Sequence, residues 1–287
     1  MGNIIWLSSY PKSGNTWFRL FIKALLYSND KADNPFDLSG LHGATMRWLI
    51  DFYSGVETSD LSQLEIDNLR PDCYRSMSEN LEELCFVKTH EISKTNSNKK
   101  PIYPSQATRG VICFLRNPLD IAGSYAHHFS ISIDEAIGRM QDEQLYYYSE
   151  SNGLWPQIRH QIGSWSTHAA SWLDNKELKV KVVKYEDMVN DTFTTFSELV
   201  EFCDLDYSIE EVQQASRNCH FDKLQEHEKG QPFLEKFPKT ESFFRKGKVG
   251  SWKEELTTDQ ADQIITSHKS MMTRCGYLTQ GGEVIAH

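Results

Sequence analysis

Four short apolar runs set the tightest limit on what this chain can become: Ile4–Leu7, Leu84–Val87, Val111–Leu115 and Val180–Val183. Each is too short for a core helix and reads as a strand buried on both faces, the pattern of a parallel sheet. Helical patterns fall between them. Trp17 to Tyr27 is apolar nearly all round, with Arg19 and Lys23 its only charges, which suits a helix sunk in the core. Ile162, Trp165, Ala169, Trp172 and Leu173 keep a helical stripe, and Thr194–Phe202 and Thr258–Met272 read as helices too. Strands alternating with helices predict an α/β fold with a largely parallel sheet. In such sheets ligands sit beyond the carboxyl ends of the strands, so those ends are where chemistry is sought.

Charge narrows the partners. Thirty Lys+Arg against forty Asp+Glu leave a net charge of −10, which argues against general nucleic-acid binding but leaves room for one concentrated basic pocket. No two of the six cysteines make a CxxC, so neither a zinc site nor a thioredoxin-type site is expected; Cys85 and Cys113 read as small buried hydrophobes. No apolar run reaches the ~18 residues of a membrane span. The run Ile4–Leu7 leads into Ser8-Ser9-Tyr10-Pro11-Lys12, not a cleavage site, and Trp6 stands where a myristoylation motif wants Ser or Thr. A soluble, cytoplasmic chain of 287 residues in one domain is the expectation, with no membrane partner. The polar stretch Ser93–Pro104 is expected to cover a site or connect two elements.

The first strand leads into Ser8-Ser9-Tyr10-Pro11-Lys12-Ser13-Gly14-Asn15-Thr16-Trp17 and then the apolar helix. A glycine-bearing turn at a helix N-terminus gathers backbone N–H groups at one point, an anion site to which Lys12 adds a full charge. The alternative is a plain strand–helix turn with a solvated lysine. The loop is not that of a nucleotide triphosphatase: its lysine precedes the glycine, and Asn15 follows Gly14. No strand ends in an acidic metal ligand; the third ends in Arg116, whose fork matches phosphate. Pro118 then fits the first turn of a helix that carries Ser124. An ion pair with Asp120 is the other reading of Arg116. After the second strand comes Lys88-Thr89-His90-Glu91, which places an imidazole at a strand end. Far downstream, Phe243-Phe244-Arg245-Lys246-Gly247-Lys248-Val249-Gly250-Ser251-Trp252-Lys253 holds four cations and two glycines in a basic loop flanked by aromatics.

Together these segments resemble the sulfotransferases. Pro11 to Trp17 looks like their 5′-phosphosulfate loop, Arg116 to Ser124 like their 3′-phosphate segment, and Arg245-Lys246-Gly247 with Gly250, Trp252 and Lys253 like their C-terminal basic loop. Lys88-Thr89-His90 resembles the cytosolic small-molecule branch, and Tyr185-Glu186-Asp187-Met188 the segment after the fourth strand. The resemblance implies a P-loop-type three-layer fold, a central, mostly parallel sheet flanked by helices, in a single domain over 1–287. It implies a donor, 3′-phosphoadenosine 5′-phosphosulfate (PAPS), a product, adenosine 3′,5′-bisphosphate (PAP), and no metal. Lys12, Ser13, Gly14, Asn15, Thr16 and Trp17 would hold the 5′-phosphosulfate. Arg116, Ser124, Arg245, Lys246 and Gly247 would hold the 3′-phosphate, while Trp17, Tyr185 and Phe221 enclose the adenine. His90 would act as general base, with Lys12, Lys88 and Ser124 completing the catalytic set. Asn15 stands where the family usually has Thr, and Cys219-His220-Phe221 where it has Thr-Ser-Phe. The dimerisation segment is altered at two of its positions, so a homo-oligomer is not carried over.

The acceptor is expected to be a small molecule, aromatic or cationic, sulfated on a hydroxyl or an amine. Its pocket would draw on residues 36–80, 93–104, 125–156 and 225–244, where Trp48, Phe52, Tyr53, Tyr146, Tyr147, Tyr148, Trp155, Phe233 and Phe237 gather; most of these are expected to pack in the core or a lid. Asp51, Glu57, Glu79, Glu82, Glu83, Asp142 and Glu143 form either a solvated face or a cation pocket. Two rival readings are a small-molecule kinase using ATP–Mg²⁺ and a non-catalytic adenine-nucleotide-binding module.

Overall fold

The computed structural model describes residues 2–26, 36, 38–149, 155–231, 233–236 and 238–285. Tyr27 and Phe237 of the expectations above lie outside them. The strands are β1 (Ile4–Ser9), β2 (Cys85–Thr89), β3 (Thr108–Leu115), β4 (Tyr146–Tyr147), β5 (His160–Gln161) and β6 (Val180–Lys184). The helices are α1 (Asn15–Leu26), α2 (Arg47–Ser54), α3 (Gln63–Glu79), α4 (Pro118–Phe129), α5 (Ile133–Gln141), α6 (Trp165–Leu173), α7 (Tyr185–Asn190), α8 (Thr192–Phe202), α9 (Ile209–Asn218), α10 (Phe221–Gly230), α11 (Trp252–Glu255) and α12 (Thr258–Arg274). The main sheet has the order β2-β1-β3-β6 and is mostly parallel. β1 and β2 run parallel in the register Ile4 with Cys85 through Ser8 with Thr89. β4 and β5 form a separate antiparallel pair.

All four apolar runs overlap strands: β1, β3 and β6 extend beyond their runs, β2 leaves Leu84 outside, and β6, at the edge of the sheet, is not buried on both faces as expected, with Val182 exposed. β1 gains Ser8 and Ser9 because the sheet buries them as fully as the residues before them. Small hydroxyls fit a packed strand when the backbone pairs.

The chain divides into two compact units. The first comprises Met1–Tyr10, Gly40–Cys113 and Asp142–Val182; the second comprises Pro11–Ser39, Phe114–Gln141 and Val183–His287. In the first, Trp6 is fully buried among Tyr74 and Tyr103, and its indole donates to Thr108 Oγ1 at 2.8 Å. The stretch Ser93–Pro104 joins β2 to β3 and folds on itself: Asn96 N donates to Lys100 O, and Asn96 Oδ1 accepts from Asn98 N and Lys100 N. In the second, Phe18 and Phe21 of α1 pack on Phe196 of α8, and Phe18 also meets Phe114. Sequence signals start the helices that matter most. Asn117 caps α4 by accepting from Leu119 N at 3.1 Å, with Pro118 in the first turn. Thr257 and Gln260 form a capping box on α12.

Candidate active site

The donor-side candidates all belong to the second unit, and most converge. The loop Pro11–Gly14 turns sharply into α1, and Gly14 O accepts from Trp17 N at 3.0 Å and Phe18 N at 3.3 Å. Gly14 has φ of 97°, and a Cβ there would stand 2.8 Å from Tyr185 Cδ2, so both conformation and space demand glycine. Lys12 also takes a left-handed conformation, φ 73°, unusual for a lysine. Its Nζ lies 4.2 Å from the centroid of the Phe243 ring. Its carbonyl accepts from Arg116 Nη1 at 3.1 Å.

Arg116 is buried at the end of β3. Its guanidinium stacks 4.1 Å from the centroid of Tyr185, and Nη2 donates to Lys248 O at 3.4 Å. The expected alternative, a pair with Asp120, is not what forms. Asp120 is buried and accepts instead from Gly250 N at 2.8 Å, Trp252 N at 2.9 Å and Ser251 Oγ at 3.3 Å, tying the basic loop to α4. Two polar atoms stand out: Ser13 Oγ and Arg116 Nε are buried and have no hydrogen-bond partner among the described residues. One lies in the turn before α1 and the other just after β3, and a buried donor left unpaired costs about 1–3 kcal/mol.

The remaining members sort plainly. Asn15 is buried and accepts from Arg19 Nε at 3.0 Å, so its side chain serves the helix. Thr16 Oγ1 accepts from Arg19 Nη2 at 3.0 Å and donates to Glu235 Oε2 at 3.2 Å, and Arg19 meets that carboxylate at 2.6 Å. Trp17 packs edge-on against Tyr185, and its indole donates to Cys219 O at 2.7 Å. The backbone of Cys219 makes that contact, so the departure from Thr-Ser-Phe leaves Trp17 held. Phe221 opens α10 with its ring against Gly247. Ser124 lies on the second turn of α4, half-buried. Arg245 and Lys246 both reach Glu255: Arg245 Nη1 is 2.6 Å and Lys246 Nζ 2.7 Å from its Oε1. Burial works against ionising Glu255, but hydrogen bonds and charge from Arg245 and Lys246 outweigh it and hold the carboxyl below the usual range. Tyr185 shifts the other way: burial raises its hydroxyl although Arg116 opposes.

Lys88 and His90 belong to the first unit. Lys88 is half-buried on β2, where its N–H donates to His42 O and its carbonyl accepts from Ala44 N. His90 follows β2, with Nδ1 2.8 Å from Ser9 O and 3.1 Å from Ser9 Oγ. A carbonyl can only accept, so Nδ1 carries the hydrogen and the neutral ring presents its lone pair on Nε2, as a base must. The next residue, Glu91, is fully buried against Arg70, with Nη2–Oε2 at 2.5 Å and Nη1–Oε1 at 3.1 Å; Tyr103 OH donates to it at 3.0 Å.

Sequence reasoning passed over the roles of Asp120, Glu186 and Glu255. Glu186 accepts from Asn117 N at 2.9 Å and Tyr277 OH at 3.1 Å, which fixes the turn after β3. It stood within the quoted Tyr-Glu-Asp-Met segment; Glu255 left no signal beyond being an acid near cations. Of the described aromatics expected at the acceptor pocket, only Phe233 is buried, so the expectation that most of them pack in the core is not met. Trp48, Phe52, Tyr148 and Trp155 are exposed, and Tyr53, Tyr146 and Tyr147 half-buried. The acids named with them are exposed apart from Asp51, which accepts from Thr58 N. Among the described residues, no three His, Cys, Asp or Glu side chains are grouped to hold a metal ion.

A parallel-sheet α/β chain with a glycine turn, an arginine at a strand end and a basic loop defines a nucleotide-dependent group-transfer class. The sulfotransferase domain profile matches residues 3–276, and the chain belongs to the sulfotransferase family. It is 27% identical over 269 residues to a 3-alpha-hydroxysteroid sulfotransferase of Cavia porcellus, covering 92% of this chain and 82% of that one. It is 25% identical over 279 residues to a flavonol 3-sulfotransferase of Flaveria bidentis, covering 91% and 79%. A mouse sulfotransferase solved in complex with PAP shares the fold, with a TM-score of 0.59 and 18% identity over 98% of this chain and 87% of that one.

Proposed function

We propose that this chain transfers a sulfuryl group from PAPS to a hydroxyl or amine of a small-molecule acceptor. The observation that carries the donor assignment is the pair of buried, unpartnered polar atoms, Ser13 Oγ and Arg116 Nε, beside a glycine turn that leads into α1. PAPS carries about four negative charges near neutral pH, and a chain of net charge −10 can hold it only through concentrated cations. Lys12, Arg116, Arg245 and Lys246 supply them in the second unit. Ser13 and the N–H groups at the start of α1 bind the 5′ end, Arg116, Ser124 and the basic loop bind the 3′-phosphate, and Trp17, Tyr185 and Phe221 flank the adenine.

The bond from sulfur to the 5′-phosphate oxygen breaks as a bond from sulfur to the acceptor oxygen or nitrogen forms. Positioning and charge stabilisation do most of the work in such transfers. His90 Nε2 takes the acceptor's proton, with the tautomer fixed by Ser9 O. Lys12 stabilises the leaving oxygen, Lys88 steadies the group in flight, and Ser124 restrains Lys12 until acceptor binds. The exposed rings of Trp48, Phe52, Tyr148 and Trp155 support an aromatic acceptor, and the solvated acids nearby do not favour a cationic one. The likeness of Lys88-Thr89-His90 to the cytosolic branch supports a cytoplasmic site of action. The chain acts as one catalytic domain.

The test is transfer of labelled sulfate from PAPS to a panel of phenols, alcohols and amines, with PAP titrated calorimetrically and ATP–Mg²⁺ as the control. PAP binds and ATP–Mg²⁺ transfers nothing if the reading holds. His90→Ala then lowers kcat by about 10²–10⁴-fold with PAP affinity nearly unchanged. Turnover that survives this change removes His90 as the base.

A further inference from the structure

The cations assigned to the 3′-phosphate already hold an anion of the chain's own. Arg245 brings Nη1 to 2.6 Å from Glu255 Oε1 and Nη2 to 3.0 Å from Oε2. Lys246 Nζ adds a contact at 2.7 Å to Oε1 and another at 3.6 Å to Glu254. A planar anion gripped by an arginine fork and capped by an ammonium is the arrangement that also grips phosphate. Its location agrees. A Cβ on Gly123 would stand 2.0 Å from Glu255 Oε2 and 3.6 Å from Arg245 Nη2, so the carboxylate rests on the bare backbone of α4, one residue before Ser124. The placement is enforced from below, because Asp120 anchors the turn that opens α11 through Gly250 N, Ser251 Oγ and Trp252 N. The contact is not sealed: the side chains of Arg245 and Lys246 are 27% and 32% exposed.

We propose that Glu255 is a specificity-determining residue of the 3′-phosphate subsite, an internal carboxylate that the nucleotide's 3′-phosphate must displace from Arg245 and Lys246. One set of cations cannot fully serve two anions. Glu255 therefore lowers affinity for 3′-phosphorylated nucleotides selectively, and it returns to the cations as the bisphosphate product leaves. This rests on the donor reading above and adds to it a residue that acts against the donor rather than for it.

The experiment titrates PAP and 5′-AMP calorimetrically into the full chain, wild type and Glu255→Gln. The glutamine keeps the shape and removes the charge. Binding of PAP by Glu255→Gln about tenfold tighter or more, with 5′-AMP affinity within about twofold of wild type, is the expected result. Product inhibition by PAP strengthens in parallel. Glu255→Asp, which shortens the reach by one methylene, falls between the two and covers the case where the glutamine variant folds poorly. PAP affinity that is unchanged or weaker in Glu255→Gln overturns the inference, because the carboxylate then aligns Arg245 rather than competing with phosphate. A wild-type chain that binds no PAP overturns the donor reading instead, and this inference with it.

Discussion

Two carboxylates, one in each unit, meet arginine in opposite ways. Glu91 and Arg70 are both fully buried, and their partners complete one another: Tyr103 OH donates to the carboxylate, Arg70 Nε reaches Tyr74 OH, and Lys94 Nζ lies 3.3 Å from Glu91 Oε1. Glu255 is shared by two partly exposed cations and rests on a glycine. The first arrangement has already met its desolvation cost and cannot release either partner without stranding a charge. The second can exchange one anion for another. The contrast separates ion pairs that hold a site in shape from ion pairs that belong to its chemistry, and burial rather than distance is what tells them apart.

Removing one carboxylate at a time is the sharpest way to break the comparison. Glu91→Ala takes from the buried Arg70 its one fully buried counter-ion among the described residues, leaving the partly exposed Asp67 at 3.2 Å, and is expected to cost about 3 kcal/mol of unfolding free energy in urea denaturation. Replacing both partners with leucine recovers most of that loss. Glu255→Gln, at a partly exposed pair, stays within about 1 kcal/mol of wild type. Equal losses from Glu91→Ala and Glu255→Gln would abolish the distinction.

A pair of glycine substitutions refines it. Gly14→Ala places a Cβ 2.8 Å from the buried Tyr185 ring at φ 97°, a conformation strained for any side chain, and is expected to cost about 1–3 kcal/mol. Gly123→Ala meets the end of the Glu255 side chain, with Arg245 Nη2 at ordinary contact distance, and alanine gains about 1 kcal/mol of helix propensity over glycine. Its unfolding midpoint should stay close to wild type, with the carboxylate pushed aside. A loss as large as that of Gly14→Ala would show that Glu255 is fixed in place.

The part of the molecule legible in the sequence is the part built by local rules. The apolar runs, the turn from Pro11 to Trp17 and the start of α4 at Pro118 all depend on neighbours in the chain. Helices α3 and α9 show no broad apolar stripe, α3 carrying Pro71 and many polar residues and α9 reading Ile-Glu-Glu-Val-Gln-Gln-Ala-Ser-Arg-Asn, and their one local signal is the capping box at Ser62/Glu65 and Ser208/Glu211. Two-residue strands such as β4 and β5 are too short to leave a period. The same limit governs the site. Arg116 is legible because it ends a strand, but the sequence offers Asp120 no role beyond the alternative of a pair with Arg116, because its partners lie 130 to 132 residues on. Counting cations located the basic loop and could not reveal that Glu255 engages two of them, because charge totals carry no geometry.

Acid should act on the first unit first, through two buried histidines, His160 beside Glu91 and His168 against Tyr10. Burial pushes His160 down to about 4, with Glu91 opposing, and His168 down to about 3. Both are therefore neutral when folded and take up protons more readily when unfolded, where their value is near 6.5. Their contribution is fully present above pH 6.5 and is lost as pH falls toward 4 and then 3. Glu91 adds a later stage. Burial alone would raise its carboxyl, but Arg70 holds it at about 2, so its contribution persists above the unfolded value near 4.5 and fades only as pH falls from there. Between pH 7.5 and 5.5 each histidine should remove roughly 1 kcal/mol of stability. Thermal melts of wild type and His168→Phe across that interval test this through their slope rather than their absolute midpoints. The variant should lose less stability than wild type by about the share of one histidine. Parallel curves would mean that His168 is already reachable by solvent protons, and the first unit would then be no more sealed than the basic loop around Glu255.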